Sequence, residues 1–214
     1  MQTIADPAPE GQASKVFGTI MVGRFEGFPS LVHAVGQPAM AELARRVHET
    51  LGYYIHQYKG TVVQSRGDGL IAVFTTDDGD DGHATRALAA AIAIRRAFAS
   101  EFMTVRTSVH SGLVTVPATV GIARSLGEMT ADNRINASDR TVELTREYFE
   151  FRSVGMRQVD GMGEVGVFEV LAVARNHAGR LNSYLHAEHG PGDDGDSIER
   201  SFPVLCDIIQ SVRH

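Results

Sequence analysis

The sequence predicts an α+β fold, a ferredoxin-like βαββαβ sheet with helices on one face, followed by a C-terminal helical tail. Three observations predict it. Residues 17–25, FGTIMVGRF, are rich in β-formers and roughly alternate. Residues 38–58 carry Met40, Leu43, Val47, Leu51, Tyr54, Ile55 and Tyr58 at spacings of three and four, the period of an amphipathic helix. TVVQS (61–65) and LIAVF (70–74) then flank Arg66-Gly67-Asp68-Gly69, and Asp-Gly between two apolar runs signals a β-hairpin.

The remaining elements follow in order. Gly27 and Pro29 break the first strand, and Gly60 closes the first helix as a glycine past a helix end does. Residues 80–99 form an alanine-rich helix. TVRTSVHSG (104–112) and LVTVPA (113–118) read as two strands around a turn at Ser111-Gly112, which His110 begins. Residues 137–148 read as helical, and FEFRSV (149–154) and GVFEVLAV (166–173) as strands. The domain organisation is a disordered leader at 1–15, one catalytic-type domain at 16–173 and a helical extension at 174–214. Within the extension, 177–189 and 202–213 read as helices around a linker at 190–197, with Cys206 packed on the last of them.

Composition excludes several classes of function. Hydrophobic residues make up 43% of 214, enough for a substantial core. No apolar run approaches the roughly 18 residues that span a bilayer, so no membrane partner is expected. The start of the chain lacks the basic and apolar regions of a secretory signal. A single cysteine rules out an internal disulfide and a cysteine-based zinc site, and points to a reducing, cytoplasmic setting. The net charge is −6 and the basic residues are scattered, so no nucleic-acid partner is expected. The nine histidines show no metal spacing, and neither a Walker-type loop nor a GxSxG elbow is present.

Four anchors, in order along residues 16–173, resemble the class III adenylyl/guanylyl cyclase catalytic domain. RFEGFPSL (24–31) resembles the family's Asp-Ile-x-Gly-Phe-Thr segment, and GTVVQSRGDGLIAVF (60–74) its Lys-x-x-Gly-Asp hairpin. NRINASDR (133–140) matches Val-Asn-x-Ala-x-Arg at the Asn and the Arg. FEFRSVGMRQVDGMGEVGVFEV (149–170) resembles the closing strands around a Lys-Gly turn. The resemblance implies conversion of a ribonucleoside triphosphate to a 3′,5′-cyclic nucleotide and pyrophosphate, with Mg or Mn held by two aspartates. It also implies a site shared between two subunits, hence a homodimer, or a heterodimer with another cyclase.

Carried over residue by residue, the resemblance makes Asp68 a metal ligand, Asn136 the ribose-positioning residue and Arg140 the group that stabilises transition-state charge. Asn136 and Arg140, four apart, are expected on one helix face. The alternative for Arg140 is a solvated ion pair with Asp139 or Glu143. Phe25, Gly27 and Phe28 occupy the phosphate-binding loop, and Gln64, Met129 and Thr130 the base-reading positions. The departures are specific. Arg24 stands at the first metal aspartate, where a guanidinium repels a cation, and Glu26 is the candidate substitute. Gln64 replaces the adenine-selecting lysine, which leaves the base open, including the pyrimidine cyclases of bacterial phage defence. Asp160 stands where a lysine often faces the phosphates. The reversal of charge at both positions predicts an ion pair between Arg24 of one chain and Asp160 of the other. Against an active cyclase stand two alternatives: a nucleotide-binding pseudocyclase or regulatory half of a heterodimer, and a purely structural dimerisation module.

Overall fold

The computed structural model describes residues 16–26, 37–66, 69–76, 82–98, 104–114, 118–159 and 163–174. The expectations for the leader, the C-terminal extension, Gly27, Phe28, Asp68 and Asp160 lie outside these residues. In chain order the elements are β1 (Val16–Glu26), α1 (Gln37–Gln57), β2 (Thr61–Arg66), β3 (Gly69–Thr75), α2 (His83–Ala97), β4 (Thr104–Val114), α3 (Ala118–Glu128), β5 (Ile135–Ser138), α4 (Asp139–Thr145), β6 (Phe149–Val159) and β7 (Gly163–Val173). One sheet carries all seven strands in the order β2-β3-β1-β4-β5-β7-β6. Its first four strands have the ferredoxin-like order. β5 then joins β4 in parallel, and the β6–β7 hairpin closes the far edge.

Alternation along β1 assigns the two faces. Met21 and Phe25 point into the main core with Leu43, Val47, Leu51 and Ile55 of α1 and the alanines and Leu88 of α2. Burying each of the larger side chains stabilises the fold by about 1.5–3 kcal/mol. Small alanines let α2 approach the sheet closely, and the run Ala87 to Ala91 is fully buried. Ile20 and Val22 face the other way, against Ile71 and Ala123 of α3. The expected face is therefore covered by α1 and α2, and α3 adds cover on the opposite face. Among the described residues, no helix is long and apolar enough to cross a membrane.

Several local expectations change. The turn expected at Ser111-Gly112 is continuous strand. β1 pairs with β4 along its whole length, from Val16↔Val114 to Glu26↔Thr104, and this ladder holds Ser111 opposite Thr19. His110 thus sits inside a strand rather than at a turn. Just past the end of α1, Lys59 takes the left-handed φ of 56°. Gly60 is required for space instead: a Cβ there would lie 2.5 Å from the Phe74 ring. Residues 137–138 belong to β5, and the helix begins at Asp139 with Ser138 as its N-cap, the hydroxyl accepting from the Thr141 N–H.

Candidate functional site

Strand β1 runs through the centre of the sheet and carries candidate chemistry at both ends. At the C-terminal end, Arg24 and Glu26 share the α3 face, because they keep the parity of Ile20 and Val22. Arg24 pairs on one side with Gly69, which has no side chain, and on the other with Arg106. Directly opposed residues of an antiparallel pair hold their Cβ atoms about 5 Å apart on one face. Arg106 is fixed by Asp132, with Nε donating to Oδ1 at 2.7 Å and Nη2 at 2.6 Å. The Glu26 carboxylate lies 3.5 Å from Arg106 Nε. One strand further, Arg134 donates to Glu169 at 2.7 Å, and Arg152 donates to the other carboxylate oxygen. Burial alone raises the Glu169 carboxyl, but hydrogen bonds and charge from Arg152 and Arg134 outweigh it and hold it below the ordinary value.

These residues do not fit a divalent cation at the Arg24 position. The position is a guanidinium facing a second guanidinium, and Glu26 is turned to Arg106. Among the described residues, no three His, Cys, Asp or Glu side chains gather in a metal-binding group. Asp68 lies outside the described residues, next to Gly69, the β3 partner of Arg24.

Phe25, expected in the phosphate loop, lies inside β1. It pairs with Val105, is fully buried and meets Phe98 edge-to-face at 5.4 Å. The strand extends to Glu26 because β4 supplies partners that far. Gly27 and Phe28 lie outside the described residues.

One cross-strand row spans the α3 face: Gln64, Ile71, Val22, Ser108, Asn136, Glu169 and Arg152. It brings two sequence-named residues, Gln64 and Asn136, to the same level of the sheet. Gln64 is exposed beside a register shift in β2. Asn136 is 3% exposed. α3 crosses this row, with the Ser108 hydroxyl donating to the Ala123 carbonyl at 2.6 Å. Met129 packs against Ile122, Leu126, Val159, Val165 and Val167. The Thr130 hydroxyl is buried and donates to the Leu126 carbonyl at 3.0 Å, so it caps α3.

Asn136 and Arg140 do not share a helix face. Asn136 is a strand residue, flanked by Ile135 and Ala137 in the main core, so its own side chain lies on the α3 face. Arg140 is on α4, on the other face. Its guanidinium lies over the Phe17 ring at 5.7 Å and donates to Glu143 at 2.7 Å. Phe17 in turn meets His83 of α2 edge-to-face. Phe17 and Arg24 are seven residues apart on one extended strand, about 23 Å at roughly 3.3 Å per residue. Arg140 and Arg24 therefore stand at opposite ends of β1 within one chain.

A buried polar chain, absent from the sequence reading, fastens α4 to the sheet. His83 Nδ1 bonds the Thr19 hydroxyl at 2.7 Å, Thr19 bonds Ser111 at 2.8 Å, and Ser111 bonds Thr141 at 3.0 Å. Thr141 bonds Ser138 at 3.1 Å, and Ser138 bonds His110 Nδ1 at 2.9 Å. All six side chains are buried. Burial lowers the His110 pKa to about 4, against the opposing pull of the Asp139 carboxylate. Asp139 also accepts from the Arg140 and Gly166 N–H groups, at 2.7 and 3.1 Å, tying the first turn of α4 to β7. The only sequence trace of this network is a set of Ser, Thr and His residues inside strands, where an apolar side chain is the usual choice.

No protein-family model matches the sequence, and no curated protein does. Solved structures do match. The guanylate cyclase domain of RhGC from Catenaria anguillulae, in complex with GTP, is 18% identical with a TM-score of 0.68, over 75% of this chain and 98% of that one. The adenylyl cyclase CyaB from P. aeruginosa is 19% identical with a TM-score of 0.67, over 76% and 97%. A dimeric guanylyl cyclase domain of the RhoGC fusion protein from Blastocladiella emersonii is 18% identical with a TM-score of 0.68, over 74% and 98%. The fold is thus that of the class III adenylyl/guanylyl cyclase catalytic domain.

Proposed function

We propose that this chain is a nucleotidyl cyclase-like protein that takes a ribonucleoside triphosphate in a site built from two copies. It forms a 3′,5′-cyclic nucleotide and releases pyrophosphate. The observation that carries this reading is the fold, shared over three quarters of the chain with a cyclase domain solved with GTP. In the reaction the ribose 3′-oxygen forms a bond to the α-phosphorus, the bond to the β-phosphate oxygen breaks, and the hydroxyl proton is lost. Arg140 is half-exposed on a helix that the buried polar chain fixes. Its guanidinium suits the charge that builds on the α-phosphate oxygens, and loss of such a group costs about 100- to 1000-fold in rate. Because Arg140 and Arg24 stand at opposite ends of β1, one substrate meets both only where two chains come together. That geometry supports a homodimer. Asp68 remains the proposed ligand of a divalent cation, and Gln64 the residue that leaves the base unselected for adenine, a pyrimidine nucleotide included.

A second reading, nucleotide binding without turnover, is favoured by the opposition of Arg24 and Arg106 at the expected first metal position. One experiment separates the two. The purified protein is incubated with each of the four ribonucleoside triphosphates plus manganese, and products are identified by mass spectrometry. A cyclic nucleotide from at least one of them is expected. Bound but unconverted nucleotide in all four would leave the second reading, and no binding in any would remove both.

A further inference from the structure

We propose that Phe17 is a positioning residue, whose ring face holds the Arg140 guanidinium at a fixed place against β1. The inference rests on the cyclase-like reading above for what Arg140 does, but the placement stands on contacts within the chain. An arginine side chain that is 52% exposed, as Arg140 is, ordinarily keeps many rotamers, and fixing it costs entropy. Here the guanidinium carbon lies over the Phe17 ring, 5.7 Å from its centroid, within the reach of a cation–π contact. Arg140 also donates to Glu143 at 2.7 Å. Glu143 sits three residues on in the same helix and moves with it, so that pair ties Arg140 only to α4. Phe17 ties the tip of the side chain to the sheet.

Phe17 is itself set from two sides. Its backbone is paired with Leu113 in the β1–β4 ladder. Its ring meets the His83 imidazole edge-to-face, at 5.5 Å and 71°. Thr19, two residues on and so on the same face of β1, bonds Nδ1 of that imidazole at 2.7 Å. β1 thus grips His83 with both side chains. From Thr19 the buried hydroxyls run through Ser111 to Thr141, the residue after Arg140. The contacts close a circuit, from Arg140 to Phe17, His83, Thr19, Ser111 and Thr141, and back along the α4 backbone to Arg140. The backbone of Arg140 and the tip of its side chain are both fixed to one strand. Such preorganisation reduces the rotamer freedom that the side chain must lose when a ligand meets it. A group that acts on transition-state charge shows its misplacement in kcat rather than in KM.

The test uses the full chain in two variants: Phe17→Leu, which keeps apolar bulk without the ring, and Phe17→Tyr, which keeps the ring. The first readout is NMR of the arginine Nε–H groups, with the Arg140 signal identified by its loss in Arg140→Lys. A proton held over a ring face is shielded. The Arg140 signal is expected upfield in the unmutated chain and in Phe17→Tyr, and at the position of a solvated arginine in Phe17→Leu. The second readout is kinetics with the triphosphate that the protein converts. Phe17→Leu is expected to lower kcat by about threefold to fivefold, the scale of a half-exposed cation–π contact, with KM within about twofold, and Phe17→Tyr to restore it. In an Arg140→Ala background Phe17→Leu is expected to add nothing, because the two residues act through one contact. Thermal melting checks that each variant is folded, and Phe17→Met, which also lacks the ring, replaces Phe17→Leu if that variant is not. An Arg140 signal that stays upfield in Phe17→Leu would overturn the proposal. So would a displaced signal with unchanged kcat in an active protein, or a loss in Phe17→Leu as large without Arg140 as with it. No cyclic nucleotide from the unmutated chain, with the signal moving as expected, would overturn the cyclase-like reading and leave the placement of Arg140 by Phe17 standing.

Discussion

The two ends of β1 solve the problem of placing polar groups in opposite ways. At the Phe17 end, hydroxyls and imidazoles are buried beneath α4, each bonded to the next, and burial holds the His110 pKa below its ordinary value. At the Arg24 end, Arg106 is left near water and balanced by the part-exposed carboxylates of Glu26 and Asp132. A buried neutral network needs every partner present, since an orphaned polar group in the interior costs about 1–3 kcal/mol. An exposed charged cluster tolerates loss of a member, because water replaces it and each pair contributes at most about 1 kcal/mol. The first end is a fixed support for Arg140, and the second holds the Arg106 charge in ion pairs at the surface.

The largest expected effect is on turnover. Arg140→Ala is expected to reduce cyclase activity by about 100- to 1000-fold, while moving stability by less than about 0.5 kcal/mol, as surface substitutions do. Steady-state kinetics with a parallel thermal melt checks both halves. Equal losses of activity and stability would mean that Arg140 is structural.

Next comes acidification. His110 titrates near 4 when folded against an ordinary value of 6.5, so the unfolded chain binds the proton first. The contribution is complete above pH 6.5 and is lost as pH falls toward 4, by about 3 kcal/mol in all. Urea unfolding between pH 7.5 and 4.5 is expected to show this slope, and His110→Asn to flatten it. An unchanged slope in the variant would place the titration elsewhere. Thr141→Val, which keeps the shape and removes the central hydroxyl, is expected to lower stability by about 2 kcal/mol, because Ser111 and Ser138 each lose a partner. At the other end, Arg106→Gln is expected to cost no more than about 1 kcal/mol, and the cost should shrink in high salt. If the two substitutions cost the same, the contrast between the ends fails.

The sequence made the ferredoxin-like unit legible because its elements carry clean periods. α1 places Leu43, Val47, Leu51 and Ile55 on one face, and the β2–β3 hairpin has Asp-Gly between its strands. α3 and β5 were harder to see. β5 is four residues long, and α3 contains Gly121 and Gly127, which weaken a helical pattern. Ser111-Gly112 looks like a turn in isolation, and only the partner strand β1 overrides that local preference. Arg24, Gln64, Asn136 and Arg140 are candidates that the sequence names, but their relative placement was not readable in it. A four-residue spacing puts two side chains on one face only if both lie in a helix, and a strand ends between Asn136 and Arg140. Arg106 and Glu169 carry no linear motif, and sheet register brings them to the Arg24 end, while Asp132 reaches Arg106 from the turn before β5.

The most direct test of the shared site is complementation between two inactive chains. Asp68→Ala and Arg140→Ala proteins are prepared separately, mixed in equal amounts under subunit exchange, and assayed for cyclic nucleotide. If each site takes Asp68 from one copy and Arg140 from the other, half of the dimers in the mixture are mixed and each of those holds one intact site. Activity is then expected to return to about a quarter of the unmutated level, as two-fold symmetry requires. Activity in the mixture no higher than the mean of the two separate variants would contradict the shared site.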